Sequence, residues 1–182
     1  MGPALELTSV PPWTVTRTLP PADVSGRSWA IVAFGGDAEP VVTTWTAQLA
    51  AAHPDRLPRV YRVADDAAAR EALTAELAQA VVGWRLMVAG PATSCVRLRA
   101  HAMAAGVADD EITIATTEVA TRDVQCVHCR TITTAAVAIE DTLECSGCGR
   151  NLLVYYHVSR LQGAHLGFMV DAEQLPEEVA SR

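Results

Sequence analysis

The stretch WAIVAFGGDAEPVVTTWTAQLAAA, residues 29–52, contains a short apolar run, a glycine pair and an amphipathic segment. The apolar run ends at Phe34 and suits a buried strand, while Gly35 and Gly36 suit the turn that follows it. Beyond the turn, four apolar residues share one face of a helix: Val41, Val42, Trp45 and Leu49. The stretch therefore predicts a strand, a turn and a helix, which is the repeating unit of an open α/β sheet.

The same unit recurs along the next sixty residues. The sequence predicts further strands at 59–63, 84–89 and 111–116, and helices at 65–81 and 93–105. Four strands alternating with three helices predict a small parallel, Rossmann-like sheet with right-handed crossovers. Ligands of such sheets bind beyond the carboxyl ends of the strands. Here that position holds Gly35, Gly36 and Gly90, which are the candidate cofactor-binding residues.

Two Cys-x-x-Cys pairs follow the predicted sheet, Cys126/Cys129 and Cys145/Cys148, with fifteen residues between them. In a reducing compartment this spacing favours a tetrahedral metal site over disulfides, and it leaves Cys95 as a spare thiol. The Thr- and Val-rich residues between the pairs predict a hairpin that folds one pair onto the other. The sequence therefore predicts a Cys₄ β segment, either a zinc ribbon or a rubredoxin-like iron site. Zinc is favoured, because the proline and aromatic surroundings typical of rubredoxin are missing from CSGCGR.

The chain of 182 residues divides into three predicted parts. Residues 1–28 hold five of its ten prolines and predict an extended arm, either a frayed tail or an arm that wraps a partner. Residues 29–118 form the α/β domain, and 119–182 form the metal-ribbon domain with a C-terminal tail, with a boundary expected near 118–124. A net charge of −7 argues against a nucleic-acid partner. The absence of a long apolar run or a secretory start predicts a cytoplasmic, soluble protein without a membrane contact.

After the cysteines, the run from Asn151 predicts a strand with two different faces. Val154, Tyr156 and Val158 would form its apolar face. Tyr155, His157 and Arg160 would face outward, as a polar surface or as a docking face for a partner. Two other histidines, His101 and His128, are expected to be ordinary polar residues rather than metal ligands.

Residues 29–116 resemble the pyridine-nucleotide domain of the ferredoxin reductase superfamily. The resemblance rests on AFGGDAEPVVTTWTAQLA and on LMVAGPATSCVRLRAHAMAAGVADDEI. In that family further glycines let a pyrophosphate approach the first turn, whereas this chain has Asp37 and Glu39 there, which repel phosphate. The resemblance therefore implies a nucleotide domain retained as a scaffold or docking surface. The residues that could still meet a phosphate are arginines: Arg62, Arg97 and Arg99.

The segment CVHC…CSGCGRNLLVYYHVSRLQGAHLGFMVDAEQLP resembles the small subunit family of bacterial dimethylamine monooxygenase, especially over residues 125–176. The resemblance implies a subunit of a haem-dependent enzyme that uses NADPH and O₂ to convert dimethylamine into methylamine and formaldehyde. Haem, flavin and an iron–sulfur centre are then expected on partner subunits. We expect this chain to be non-catalytic and inactive alone, stabilised by zinc, and to organise or dock redox partners. The alternative is an electron carrier with iron on the four cysteines, or a reductase component that still binds NADPH.

Overall fold

Residues 29–118 fold as predicted into a parallel sheet with helices on both faces. A computed structural model describes residues 4–170. The strands are β1 (Ser28–Phe34), β2 (Arg59–Val63), β3 (Trp84–Pro91) and β4 (Ile112–Glu118), and the helices are α1 (Glu39–Ala52), α2 (Asp66–Leu77) and α3 (Ala92–Ala104). The strand order is β2-β1-β3-β4, and all three pairings are parallel. The prediction of a mixed α/β fold with a parallel sheet is confirmed.

Alternating side chains of the sheet build two apolar cores. Val32 and Leu86 face α2 and α3, whereas Ile31 and Met87 face α1. Six of the seven residues of β1 are buried, as expected for a central strand covered on both faces. Asp65 caps α2 by accepting a hydrogen bond from the Ala68 N–H. This helix ends at Leu77, four residues before the predicted end.

The cysteine segment forms a second sheet. Its strands are β5 (Thr121–Cys126), β6 (Ile132–Ala136), β7 (Thr142–Glu144), β8 (Asn151–Ser159) and β9 (Ala164–Met169), in the order β6-β5-β9-β8-β7. Strands β5 and β9 are parallel, and the other neighbours are antiparallel. The predicted hairpin between the cysteine pairs is wrong, because β6 pairs with β5 and β7 pairs with β8 at opposite edges of the sheet. Each cysteine pair instead forms the turn of its own hairpin.

The predicted boundary at 118–124 contains almost no linker. Strand β4 ends at Glu118 and β5 begins at Thr121, so two residues separate the sheets. Helix α3 packs against β5 and β9. Within residues 4–170, none of the helices combines the length and the apolar character that crossing a membrane requires.

The proline-rich arm packs against its own chain rather than extending from it. Trp45 Nε1 donates to the Pro20 carbonyl at 2.9 Å, and the Thr116 N–H donates to the Thr18 carbonyl at 2.9 Å. Val10 is buried with Val96 of α3 and Val158 of β8. The interpretation of residues 4–28 as a frayed, solvated tail is therefore wrong, while the interpretation as an arm that wraps a partner stays a prediction. The arm has this position because its oxygen atoms accept hydrogen bonds from the indole of Trp45 and from backbone N–H groups of both sheets, those of Thr116 in β4 and Val158 in β8.

Candidate metal centre

The first cysteine pair lies in a tight turn between β5 and β6, the first knuckle (residues 126–131). The Arg130 N–H donates to the Cys126 carbonyl at 2.8 Å, and the Cys126 N–H donates to the Thr131 carbonyl at 2.9 Å. Arg130 has a positive φ of 65°, which closes the turn. Cys126 and Cys129 consequently lie on the same side of the turn.

The second knuckle (residues 145–150) repeats this hydrogen-bond pattern between β7 and β8. The Gly149 N–H donates to the Cys145 carbonyl at 2.9 Å, and the Cys145 N–H donates to the Arg150 carbonyl at 2.9 Å. Gly149, with φ 69°, occupies the position that Arg130 occupies in the first knuckle. A glycine takes this left-handed conformation without the steric cost that Arg130 bears. Two equivalent loops therefore present two thiols each.

The four thiols meet in one cluster. The Sγ atoms of Cys126, Cys129, Cys145 and Cys148 all lie within 4.8 Å of one another. The Cys126–Cys148 distance is 3.8 Å and the Cys129–Cys145 distance is 3.5 Å, both between Sγ atoms. A tetrahedral ion with metal–sulfur bonds of about 2.3 Å needs sulfur–sulfur separations of about 3.8 Å. The cluster therefore fits a tetrahedral thiolate-bound ion, and among residues 4–170 no other group of candidate ligands converges in this way.

The thiols differ in how readily they lose a proton. Hydrogen bonds from the side chain and backbone of Thr131 lower the pKa of Cys129 to about 6. The backbone N–H of Arg150 likewise lowers the pKa of Cys148. Burial raises the pKa of Cys126 to about 11. Because metals bind thiolates, the partly exposed Cys129 and Cys148 are the expected first ligands, and ion binding then displaces the proton of the buried Cys126.

Residues around the knuckles fix the loops in place. Gly147 faces the Thr131 side chain so closely that a Cβ there would collide with it. The Gly147 N–H also donates to Cys145 Sγ at 3.4 Å, the kind of contact that stabilises a thiolate. Sequence reasoning identified the small residues of CSGCGR but missed Thr131. Its position two residues after the second cysteine of a knuckle is the signal that could have identified it.

The two histidines that the sequence analysis set aside as metal ligands, His128 and His101, do not join the cluster. His128 Nδ1 lies 2.9 Å from Arg150 Nη1 on the exposed side of the first knuckle. His101 lies near the end of α3, remote in sequence from both knuckles. The four cysteines are thus a complete ligand set.

The glycines proposed for cofactor binding lie at the carboxyl ends of β1 and β3, as the topology requires. Gly35 and Gly36 are exposed, and the space above them is open. Gly90 is buried against Phe34, where a Cβ would lie 2.7 Å from the Phe34 Cβ. Gly90 is therefore explained by packing between neighbouring strands, while Gly35 and Gly36 remain a prediction as ligand-binding residues.

Each of the three arginines considered for phosphate contact has a carboxylate partner. Arg62 makes two hydrogen bonds to Glu39, of 2.9 and 2.7 Å, which hold the pKa of that carboxyl below its usual value. Arg99 makes two bonds of 2.7 Å to Asp109. Arg97 contacts two carboxylates, those of Asp66 and Asp123. A phosphate would have to compete with a carboxylate for each of these cations.

The C-terminal strand has the two faces that the sequence predicts. Val154 and Val158 are buried, whereas Tyr155, His157 and Arg160 are exposed. The sequence reasoning missed Phe168 of β9, which is 41% exposed and packs edge-on against Tyr155 with ring centroids 5.3 Å apart. These two rings and Leu153 line an open cavity of about 520 Å³ on the outer face of the second sheet.

Comparison with known proteins connects the cysteine segment to one family. Residues 123–168 match the model of the dimethylamine monooxygenase subunit DmmA-like, C-terminal domain. A relative from Ectopseudomonas mendocina (strain ymp), the heme-dependent oxidative N-demethylase delta subunit, is 41% identical over 102 residues. The match covers 56% of this chain and 57% of the relative, so it spans little more than half the length of either. No solved structure matches the chain. The resemblance to the small subunit family of dimethylamine monooxygenase is thereby confirmed.

Proposed function

We propose that this chain is a non-catalytic, zinc-stabilised subunit of a multi-component, haem-dependent dimethylamine monooxygenase. In this proposal the complete enzyme uses NADPH and O₂ to form methylamine and formaldehyde, and this subunit organises or docks the redox partners that carry haem, flavin and iron–sulfur. The observation that carries the proposal is the closed set of four thiols in a segment that matches this family. The delta-subunit relative supports a place within an assembly.

Zinc on the four cysteines would have a structural role. Four thiolates complete a tetrahedral shell, so no position is left for water or an amine substrate. The ion would connect two hairpins whose own apolar core is small, with Val124, Leu152 and Val154 as its buried members apart from the cysteines. An ion that contributes about 10–16 kcal/mol in zinc-finger peptides would dominate the stability of such a segment.

The first sheet supports a scaffold role better than a nucleotide-binding role. Asp37 and Glu39 lie at the glycine turn, and the nearby Arg62 is already paired with Glu39. The space next to the Gly90 backbone is filled by the side chain of Phe34. A dianionic pyrophosphate would therefore meet the carboxylate of Asp37 at the turn, and Arg62 could bind it only by giving up Glu39. These contacts argue against the alternative of a reductase component that still binds NADPH.

The outer face of the second sheet is the docking surface that we propose. Tyr155, Phe168 and Val170 are 49%, 41% and 55% exposed, which is unusual for large apolar residues that lie together. Tyr and Phe are enriched in the cores of protein interfaces, and polar neighbours such as His157 suit the rim. Docking here would leave the knuckles intact, so the partner and the ion would occupy separate positions.

A rubredoxin-like iron site that transfers electrons is the remaining alternative. Iron and zinc both accept four thiolates in a tetrahedron, so the sulfur–sulfur distances of 3.5 and 3.8 Å fit either ion. Colour separates them, because zinc has a filled d shell whereas iron–thiolate centres absorb visible light. Metal analysis and a visible spectrum of the native protein therefore decide between the two functions.

The test is purification of the tagged chain from its native host, with metal content, partner recovery and amine turnover measured on each sample. We expect about one zinc per chain, no visible absorbance and co-purifying subunits. The Tyr155→Ser/Phe168→Ser variant should lose the partners and keep the zinc. The matched control Leu161→Ser changes an apolar residue that is 82% exposed in the β8–β9 turn, and should keep both. A stoichiometric coloured centre, or NADPH oxidation by the chain alone, would contradict the proposal.

A further inference from the structure

A small cavity lies where the arm, the first sheet and the metal segment meet. It measures about 10 Å³. Thr14 of the arm, Ala92 and Thr93 of α3, Arg122 of β5 and His165 of β9 contribute to its walls. A volume of this size admits about one water molecule and no larger ligand. The junction of the two sheets therefore contains room for a single small species.

Arg122 brings an unsatisfied donor to this junction. Its side chain donates through Nη1 and Nη2 to three carbonyl oxygens, those of Ala120, Val137 and Thr14. The residue is 7% exposed, yet its buried Nε has no hydrogen-bond partner among the residues that the structure describes. A buried N–H without an acceptor costs about 1–3 kcal/mol, and more on a charged group. This donor therefore requires an acceptor that the protein atoms do not supply.

His165 brings an unsatisfied acceptor. The residue is 4% exposed, and its buried Nδ1 has no partner within residues 4–170. Burial, together with the nearby Arg122 charge, lowers the pKa of His165 to about 4, so the ring is neutral at physiological pH. A neutral imidazole has one N–H donor and one acceptor nitrogen. The Tyr155 backbone favours protonation of the ring, as a carbonyl that accepts a ring N–H does, so we assign the N–H to Nε2 and the acceptor role to the unpartnered Nδ1.

One donor and one acceptor on the walls of the same cavity select the ligand. Water accepts from one group and donates to the other, whereas a halide accepts from Arg122 but has no proton for His165 Nδ1. The first-turn N–H groups of α3 at Ala92 and Thr93 have no partner within the helix and lack a side-chain cap, so they offer further donors. A water molecule can accept from two of these donors and donate to His165 Nδ1, so the groups provide it with three partners.

We infer that this cavity binds one ordered water molecule, hydrogen-bonded to Arg122 Nε and His165 Nδ1. The water connects β5 and β9 of the metal segment to the start of α3, and Arg122 extends the network to the Thr14 carbonyl of the arm. The bound water is thus a structural component of the contact between the two sheets. This inference stands apart from the proposed function, because it depends only on the polar atoms of the junction.

The first experiment is a crystal structure of the metal-loaded chain at a resolution that shows ordered water, with a second crystal soaked in bromide. We expect a single peak within hydrogen-bond distance of both nitrogens and no bromide at that position. An empty cavity would overturn the inference. An anomalous bromide peak would also overturn it, in favour of an anion bound to Arg122.

A solution experiment tests the same site without crystals. Water-oxygen magnetic relaxation dispersion counts long-lived internal waters, and the His165→Phe variant should show one fewer than the wild-type chain. His157→Phe is the matched control, because it makes the same change at an exposed position on the neighbouring strand. It should leave the count unchanged. Equal counts for the wild type and a folded His165→Phe variant would refute the site, and the crystal experiment decides the matter if that variant does not fold.

Discussion

A partly buried ion-pair cluster joins the two sheets, and its disruption is the most informative stability test. Arg97 of α3 contacts Asp66 of α2 on one side and Asp123 of β5 on the other. Asp123 Oδ1 also accepts a hydrogen bond of 2.6 Å from Thr134 of β6. The Asp123 side chain is 5% exposed, whereas that of Asp66 is 33% exposed. We therefore expect Asp123→Asn to destabilise the protein far more than Asp66→Asn does.

The magnitude follows from the bonds that change. Asp123→Asn keeps the shape of the side chain but leaves one acceptor oxygen in place of two. That oxygen can still accept from Arg97, without the negative charge that pairs with the guanidinium, while Thr134 is left with a neutral bond to the amide group. The Thr134 bond falls from the about 1.5–3 kcal/mol of a charge-assisted bond to the about 0.5–1.5 kcal/mol of a neutral one, and Arg97 loses its buried anionic partner at a similar cost, so the change costs about 2–3 kcal/mol in total. Arg97 keeps Asp66, whose carboxylate lies 2.6 Å from Arg97 Nε although the contact is not aligned as a hydrogen bond. Asp66→Asn should cost about 1 kcal/mol or less, because its carboxylate is partly solvated.

Urea unfolding with two probes measures this effect. The four tryptophans all precede residue 119, so their fluorescence follows the first sheet and the arm, while release of the metal to a coloured chelator follows the knuckles. With a slope of about 2 kcal/mol per molar urea, Asp123→Asn should lower the midpoint by about 1–1.5 M. In the double variant Arg97 loses both carboxylates, so the loss should exceed the sum of the single losses. An Asp123→Asn shift no larger than that of Asp66→Asn would refute the reasoning.

Three further outcomes are expected. Removal of the metal by a strong chelator should abolish hydrogen-exchange protection in β5–β9 and leave β1–β4 protected, since the metal stabilises its own segment; an even loss along the chain would contradict this. Acid should destabilise the protein by up to about 3 kcal/mol as the pH falls from about 6.5 to 4, because over this range His165 binds a proton in the unfolded chain but not in the folded one. In urea titrations at several pH values, His165→Phe should make the free energy of unfolding depend less on pH in this range. Glu76→Gln should lower the free energy of unfolding by about 3 kcal/mol in the same assay, because the buried Glu76 carboxylate accepts hydrogen bonds from Arg59, Tyr61 and Trp84. A loss below about 1 kcal/mol would show that a neutral side chain at this position stabilises the fold nearly as well as the carboxylate.

Periodicity predicted the first sheet well because burial there is regular. Strand β1 is buried on both faces, Gly35 with φ 71° follows its last residue, and α1 then presents one apolar face. The end of α2 was less predictable, since the residues after Leu77 include the apolar pair Val81 and Val82, which are 67% and 90% exposed in the turn before β3. In a sequence such residues are typical of a helix, and the local turn signal, Gly83 with φ 91°, comes only after them.

Contacts between residues distant in sequence account for most of what the sequence did not predict. Indole N–H groups hold the arm in place, as in the 2.6 Å hydrogen bond from Trp29 Nε1 to the Asp23 carbonyl. The composition of the arm reveals its prolines but not these contacts. The segment around Arg122 and Asp123 read as a polar boundary, yet both residues are buried. Charged residues in a short run predict exposure unless their partners are known, and those partners lie on α3, in the arm and on β6.

The cysteine cluster could be predicted because its spacing encodes its geometry, whereas the way the knuckles come together could not. Spacing requires only that each pair closes a turn, and both turns do so through the same two backbone hydrogen bonds. The approach of one knuckle to the other depends on β9, which lies between β5 and β8 and pairs with both. Gly167 of β9 permits this, because a Cβ there would lie 2.7 Å from Val124 Cγ1 and 3.0 Å from Leu152 Cδ1. Strand β9, which begins fourteen residues after the end of the second knuckle, therefore sets the distance between the two pairs of thiols. Sequence reasoning assigned that role to a hairpin between the pairs.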